Sequence, residues 1–365
     1  MSMSVATKTQ TVAPRALVSA MPEYHPPLAA RELLRLDFNE NTVSPSPRVL
    51  ERLQKITAEG LTKYPEREHG EAAAAAHFGL RPEQVLLTNG VDEAIHLLCA
   101  AYLDPQDEAV IAVPGFFMYD ISISMMTKNL VRVPSDASLQ FPFAGVMAAI
   151  TPRTKAIIIS SPNNPTGAVI PREQILKICA AAPHAIVLMD EAYYHFHGET
   201  TLGDIDAVPN LLVGRTFSKA YGLANLRLGM VAGQAELVHA MRKVCSPYNV
   251  NGVALDCLPV ALADEEYLQW YTAQVVEGRQ RMELALEKLG VFYWKSHANF
   301  ILMKIGSKHK ELVAAMREHG VLLRDRSSDP GCEGNARITI GIAEHVTRGI
   351  EALKQSLADI NWKAE

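Results

Sequence analysis

The stretch Leu211-Leu212-Val213-Gly214-Arg215-Thr216-Phe217-Ser218-Lys219-Ala220-Tyr221-Gly222-Leu223-Ala224-Asn225-Leu226-Arg227-Leu228-Gly229-Met230 decides how the rest of the chain is read. An apolar run opens it, and two small hydroxyls, Thr216 and Ser218, then flank a lysine. Arg227 follows Lys219 eight residues later, between leucines and ahead of a glycine. A lysine in apolar company is costly to keep charged, and a neutral amine forms a Schiff base with an aldehyde. An arginine with hydroxyls nearby suits a phosphate, because its planar fork binds two oxygens at once. Aldehyde and phosphate on one small molecule describe pyridoxal 5'-phosphate. The competing reading is a surface lysine and an arginine that packs through its stem at the edge of the core.

Upstream of this stretch the same kind of apolar run recurs. The runs are Val85-Leu86-Leu87, Ala109 to Val113, Ala156 to Ile159 and Ala185 to Met189, with Leu211-Leu212-Val213 as the fifth. Segments with helical spacing lie between several of them, such as Glu93 to Leu103 and Arg172 to Ala182. Near-continuous apolar strands with helical crossovers mean an α/β fold, a mostly parallel sheet covered by helices on both faces. Ligands bind such sheets at the carboxyl ends of the strands. Pro47 to Glu59 reads as helical, and Lys63-Tyr64-Pro65 ends that pattern because the residue before a proline is pushed extended. Beyond Pro247-Tyr248-Asn249 the pattern changes. One long helical region runs from about Val253 to Leu289. Strands at Asn299–Leu302, Val321–Arg324 and Ala336–Ile340 then alternate with helices near Lys310–His319 and Glu344–Leu357. This is a smaller α+β domain, completed by the N-terminal segment. The expected division is an arm and joining segment at 1–47, a large cofactor-binding domain at 48–250, and a linking helix with the small domain at 251–365. Residues 1–20 read as a loose arm.

Composition bounds the function. The chain has 365 residues, 48% hydrophobic and 21% charged, which suits a folded enzyme with more than one core. A net charge of -5 gives no basic footprint for nucleic acid. Five scattered cysteines without a C-x-x-C favour reduced thiols over a disulfide frame or a zinc site. No apolar run approaches the ~20 residues of a membrane helix, and the first residues lack a signal-like apolar segment. A cytoplasmic protein without membrane contact is expected.

The informative polar residues come directly after the apolar runs. Thr88-Asn89-Gly90-Val91-Asp92 opens a helix whose free N–H groups make a phosphate seat. Pro114-Gly115-Phe116 offers an aromatic that can stack on a flat ring, with Phe117 and Tyr119 competing as core residues. Ser161 to Gly167 builds a rigid turn that presents Asn164. Asp190, at the end of a buried strand, needs a partner, and a pyridinium N–H would serve. Tyr193 lies three residues on, within reach of the same ring. The alternative for this pair is a capping aspartate and a core tyrosine. His195 and His197 lack a further ligand at a metal-binding spacing and read as surface or rim histidines, so no metal is expected.

Taken in order, these motifs resemble the pyridoxal-phosphate aminotransferases of fold type I, classes I and II, over about residues 20 to 357. Asn164-Pro165-Thr166-Gly167, Asp190-Glu191-Ala192-Tyr193 and Ser218-Lys219 with Arg227 are jointly specific. Leu36-Asp37-x-Asn39-Glu40-Asn41, Lys63-Tyr64-Pro65, Asn89-Gly90-x-Asp92-Glu93, Ala298-Asn299-Phe300, Leu323-Arg324-Asp325 and Ala336-Arg337-Ile338-Thr339 are most similar to the histidinol-phosphate aminotransferase family. The resemblance implies that Lys219 carries the cofactor and shuttles the proton, and that Asp190 holds the pyridine nitrogen. It implies that Tyr193 and Asn164 bind the phenolic oxygen and that Phe116 stacks on the ring. The phosphate falls to Thr216, Ser218, Arg227 and the backbone of Val91 and Asp92. Tyr64 of the partner in a homodimer with shared sites reaches the same phosphate. Arg337, with Arg324 and Tyr24, takes the anionic group of the substrate. The implied reaction is a ping-pong transfer between an amino donor and a 2-oxo acid, namely histidinol phosphate and 2-oxoglutarate. A cis Asn164–Pro165 bond is also implied.

The chain departs from the family pattern at Thr42-Val43-Ser44, at Pro114-Gly115-Phe116, at Val91 and at Pro22-Glu23-Tyr24. These changes spare the cofactor chemistry and bear on the substrate. The rival readings are an aromatic amino-acid aminotransferase, a phosphothreonine-type decarboxylase of the same fold, and a non-catalytic cofactor-binding regulator. Such regulators usually carry a DNA-binding domain ahead of the fold, and the arm before residue 20 is too short for one.

Overall fold

The computed structural model describes residues 12–23 and 30–364. Its strands, in chain order, are β1 (Leu34–Arg35), β2 (Val85–Thr88), β3 (Glu108–Val113), β4 (Asn129–Pro134), β5 (Thr154–Ser160), β6 (Ile186–Asp190) and β7 (Leu211–Thr216). They continue with β8 (Gly229–Gly233), β9 (Tyr293–Trp294), β10 (Phe300–Lys304), β11 (Val321–Leu322), β12 (Arg324–Asp325) and β13 (Asn335–Thr339). The large sheet has seven strands in the order β2-β8-β7-β6-β5-β3-β4. All its pairings are parallel except those of β8, which runs antiparallel to both β2 and β7.

Strand alternation gives this sheet two buried faces. Ile157, Val187, Leu211 and Val213 pack with Ala74, Ile175, Ile178 and Leu258 on one face. Ile158, Leu188 and Leu212 pack with Ile95, Leu98 and Ile123 on the other. Each such Leu or Ile contributes about 1.5–3 kcal/mol of burial, which holds the strand ends in a fixed relation. A separate core joins Leu36 to Phe300, Ile301, Ile338, Met282 and Leu353. It is built on the antiparallel sheet β12-β13-β10-β9. The N-terminal segment reaches it through β1, which pairs in parallel with β11.

Several elements differ from the sequence expectation. Two strands of the large sheet lie outside the five apolar runs. β4 is a half-exposed strand at the sheet edge, and β8, Gly-Met-Val-Ala-Gly, carries little apolar bulk. The helical stretch from Pro47 is two helices, Pro47–Gln54 and Ala58–Thr62, because Thr57 accepts the Gly60 N–H and caps a new start. The region from Val253 is likewise two helices, Gly252–Ala263 and Glu265–Leu289, with Asp264 accepting the Tyr267 N–H at the break. Val321–Arg324 is not one strand. It divides at Leu323, so that β11 pairs with β1 and β12 with β13. Within the arm, Ala16–Ser19 forms a short helix.

Candidate active site

The carboxyl ends of β6 and β7 and the start of helix Gly90–Tyr102 converge on one site. Beyond β7 the chain turns tightly. Thr216 Oγ1 accepts the Ser218 N–H at 3.1 Å, and the Leu223 N–H returns to the Phe217 carbonyl at 3.1 Å. Gly222 permits the turn with φ of 72°. Lys219 is half-buried, and its Nζ donates to the Phe38 carbonyl at 3.1 Å.

The helix at Gly90 has Asn89 at its cap position with no side-chain capping bond. Glu93 turns back to the Asn89 N–H at 2.6 Å. The following backbone N–H groups therefore point outward with the positive end of the helix dipole, a seat for an anion. Arg227 faces them. Its backbone is held in the left-handed region at φ of 52°, a strained position for a non-glycine residue of the kind found at functional sites. Its guanidinium donates to Asp92 at 3.0 Å. The cradle has no room for side chains. A Cβ on Gly90 would lie 2.5 Å from the Arg227 guanidinium, and one on Gly229 would lie 2.7 Å from the Val91 nitrogen.

Asp190 is buried, and among the described residues its carboxylate accepts from neutral donors. Tyr119 donates its hydroxyl at 2.7 Å and Ala192 its N–H at 3.0 Å. Burial pushes this carboxyl up to about 6, against the lowering pull of the two hydrogen bonds. A cationic ring N–H would relieve that cost. Phe116 stands edge-on to Tyr119, ring centroids 5.6 Å apart. Tyr119 thus belongs to the site. Helical spacing from Phe116 to Tyr119 put them on one face, which was the available sequence signal.

Two side chains are oriented by partners far away in sequence. Asn39 donates its amide to the Tyr193 hydroxyl oxygen at 3.1 Å, so the Tyr193 proton is free to point elsewhere. Asn164 Oδ1 accepts from Arg337 Nη1 at 2.5 Å, which leaves the Asn164 NH2 to donate into the site. The Asn164–Pro165 bond is cis, as the resemblance implied. Asn39 belongs to the Leu36–Asn41 motif, and its contact with Tyr193 exists only in the folded chain.

Arg337 is buried. Its Nη2 donates to the Asp37 carbonyl at 2.7 Å, and its Nε finds no hydrogen-bond partner among the described residues. Burial, then the cations Arg326 and Arg324, push its guanidinium down to about 9, so it stays charged at neutral pH. Arg324 stands directly opposite Arg337 across the β12–β13 pair. Its guanidinium lies 5.3 Å from the centre of the Phe38 ring.

The donor set fits pyridoxal phosphate: an anion cradle without side chains, a buried carboxylate, a lysine, and oriented donors between them. Tyr64 lies apart, 77% exposed and stacked on Tyr248 at 4.3 Å. Tyr24 falls outside the described residues. His195 is half-buried against Tyr194 and Tyr221 and lines an open cavity, and burial pushes its imidazole down to about 3. Among the described residues no helix is long and apolar enough to cross a membrane, and no cluster of three or more His, Cys, Asp or Glu is arranged for a metal ion.

A family model described as aminotransferase class I and II matches residues 31–353. Histidinol-phosphate aminotransferase 1 of Trichormus variabilis is 32% identical over 349 residues, 94% of this chain and 98% of that protein. The histidinol-phosphate aminotransferase of Dehalococcoides mccartyi is 33% identical over 328 residues, 89% of this chain and 90% of its own. A solved histidinol-phosphate aminotransferase from Sinorhizobium meliloti, in complex with pyridoxal-5'-phosphate, has a TM-score of 0.87 at 22% identity, covering 96% of this chain and 99% of that one. Thermus thermophilus aspartate aminotransferase with maleate has a TM-score of 0.77 at 25% identity, covering 89% and 92%.

Proposed function

The chain belongs to the class I and II aminotransferases and has their fold type I architecture, and from that premise we propose that it binds pyridoxal 5'-phosphate and moves an amino group from histidinol phosphate to 2-oxoglutarate. When bound, the cofactor supplies a covalent anchor for the amine and an electron sink. Thr216, Ser218, Arg227 and the N–H groups of Val91 and Asp92 hold its phosphate. Asp190 accepts the ring N–H, and Phe116 covers the ring face. Tyr193 and Asn164 donate to the phenolic oxygen. The Lys219 amine would take the proton from the amine-bearing carbon of the substrate and hold it for return on the far side of the nitrogen. Residues 48–250 carry the cofactor in this reading, while 1–47 and 251–365 carry the substrate pocket.

The substrate assignment rests on Arg324 facing Arg337 across two strands, with a buried Arg337 donor left unmatched. Histidinol phosphate has no carboxylate, and a dianionic phosphate can meet two cations where a lone carboxylate does so less well. Single-turnover spectra test this. Each amine is added alone and the loss of the cofactor's visible band is followed. Histidinol phosphate is expected to react much faster than phenylalanine or tyrosine, and the reverse order replaces this reading with an aromatic aminotransferase. Arg324→Ala is expected to slow the reaction with histidinol phosphate about tenfold, the size of one lost charge-assisted contact. A loss of no more than about twofold would remove Arg324 from the pocket.

Tyr64 supports a homodimer with shared sites. It is exposed at 77% beside Leu61, itself exposed at 66%, and stacks on the exposed Tyr248. A partner that covers this surface would bring Tyr64 to the phosphate of the other chain. Mixing Lys219→Ala with Tyr64→Phe chains gives dimers with one doubly defective site and one intact site. Random exchange of equal amounts is expected to restore about a quarter of the wild-type activity. No restoration, with exchange verified by native mass spectrometry, would mean that Tyr64 serves its own chain.

A further inference from the structure

Directly beneath the cofactor site lies a buried ion pair that the reaction itself does not use. Glu191 and Arg215 are each 2% exposed. Arg215 Nε donates to Glu191 Oε2 at 2.8 Å, and Arg215 Nη2 donates to Thr200 Oγ1 at 2.8 Å. The Thr200 hydroxyl donates on to Glu191 Oε2 at 2.7 Å, while the Thr201 N–H and hydroxyl reach Oε1 at 2.7 and 3.1 Å. The guanidinium lies flat on the Tyr194 ring, 3.6 Å from its centre.

The placement of the pair carries the argument. Glu191 follows Asp190 directly, and Arg215 precedes Thr216 directly. Asp190 and Gly214 are neighbours across β6 and β7, and the Glu191 N–H extends the ladder to the Gly214 carbonyl at 2.9 Å. Side chains alternate along strands, so Asp190 and Thr216 serve the site face while Glu191 and Arg215 point to the opposite face. We infer that the Glu191–Arg215 pair is a positioning device. It clamps the carboxyl ends of β6 and β7 together, so that Asp190 and the Thr216–Lys219 turn keep the one spacing that a ring nitrogen and a phosphate on the same rigid molecule require. The inference rests on the cofactor reading above.

Stability alone is a poor reason to keep such a pair. Replacing a buried ion pair with apolar residues of similar volume is often neutral or stabilising. What apolar residues lack is direction. A carboxylate held by a guanidinium and two threonines, one of them shared with that guanidinium, has one geometry, whereas Leu against Met has several. Arg215 also borders a cavity of 520 Å³, lined by Phe78, Tyr194, His195, Tyr221 and Gln269 among others. That cavity is large enough to admit a small guanidinium in place of a truncated side chain.

The test compares wild type, the apolar pair Glu191→Leu/Arg215→Met, and Arg215→Ala with and without methylguanidinium. The readouts are melting of the cofactor-free protein, the dissociation constant for pyridoxal phosphate, and kcat and KM separately. The apolar pair is expected to melt near wild type yet to bind pyridoxal phosphate about tenfold more weakly. Its kcat is expected to fall about 10²-fold, the usual effect of a misplacement near 1 Å, with little change in the amine KM. Methylguanidinium is expected to restore cofactor affinity to Arg215→Ala and to leave wild type unchanged. A folded apolar pair with wild-type affinity and kcat overturns the inference. If that variant does not fold, failure of methylguanidinium to restore affinity to Arg215→Ala overturns it instead, and restoration supports it. A wild-type protein that takes up no pyridoxal phosphate sinks the functional reading and this inference with it, whereas wild-type behaviour of the folded apolar pair sinks the inference alone.

Discussion

Lys219→Ala protein is expected to lose turnover by on the order of 10⁴-fold or more, because one side chain serves as both covalent anchor and proton carrier. The fold should survive the change. Lys219 is half-buried, and among the described residues its side chain makes a single hydrogen bond, to the Phe38 carbonyl. Deleting an amine with so few attachments leaves no unpaired buried charge behind, and Lys219 is not one of the fully buried core residues. Borohydride reduction followed by peptide mass spectrometry separates anchor from carrier. Wild type should retain pyridoxyl mass on the peptide containing Lys219, and the variant should retain none on any peptide. The visible band of the bound cofactor should shift or vanish at the same time. Added methylamine should return part of the proton transfer while the covalent label stays absent. A variant with an unchanged visible spectrum would remove Lys219 from the role given to it here.

Asp190→Asn is expected to lower kcat by about 10³-fold, since a neutral amide cannot keep a ring N–H protonated as a carboxylate does. The same change should make the cofactor-free protein more stable, and the pH dependence gives the sign. Burial raises the Asp190 carboxyl from 3.8 to about 6 in the folded chain. Between these values the folded state binds more protons than the unfolded state, so ionising Asp190 costs stability as pH rises through that window. The cost is complete above pH ~7 and on the order of 3 kcal/mol. It fades through pH ~4 and is absent below pH ~3, where the carboxyl is protonated in both states. Asparagine carries no charge to bury, and it can accept the Ala192 N–H while donating to the Tyr119 oxygen. Cofactor-free Asp190→Asn should therefore melt above wild type at pH 8, and the two should converge near pH 3. Pyridoxal phosphate should narrow the gap at pH 8 by supplying wild type with a cation. If the cofactor-free variant melts below wild type at pH 8, Asp190 is stabilised in a way that its neutral partners do not explain.

The architecture was legible where side-chain chemistry is local. Five of the seven strands of the large sheet announced themselves as apolar runs because strands buried on both faces need apolar residues at every position. β8 gave no such signal. Gly229 must lack a side chain because a Cβ there would strike the start of helix Gly90–Tyr102, and a glycine-bounded strand looks like a loop in sequence. The breaks at Thr57 and Asp264 were missed for a related reason. A capping side chain inside a long helical pattern resembles an ordinary polar surface position until its hydrogen bond is seen.

At the site the division follows the same line. Lys219, Asp190 and Asn164 could be singled out in the chain because each is a polar residue placed just after an apolar strand stops, and Arg227 by its place eight residues after Lys219. Their working orientation could not, since each depends on contacts made over long separations. Asn39 orients Tyr193 from 154 residues away, Arg337 orients Asn164 from 173, and Phe38 receives Lys219 from 181. Arg324 and Arg337 were visible as two strand arginines, but the antiparallel register of β12 and β13 sets them opposite each other. Strand–helix order and the residues able to carry the chemistry are legible in the chain, because periodicity and residue type are local properties. Which of those residues face one another, and that the Glu191–Arg215 pair lies under the site, follows from packing, because hydrogen-bond direction and strand register exist only once distant segments have come together.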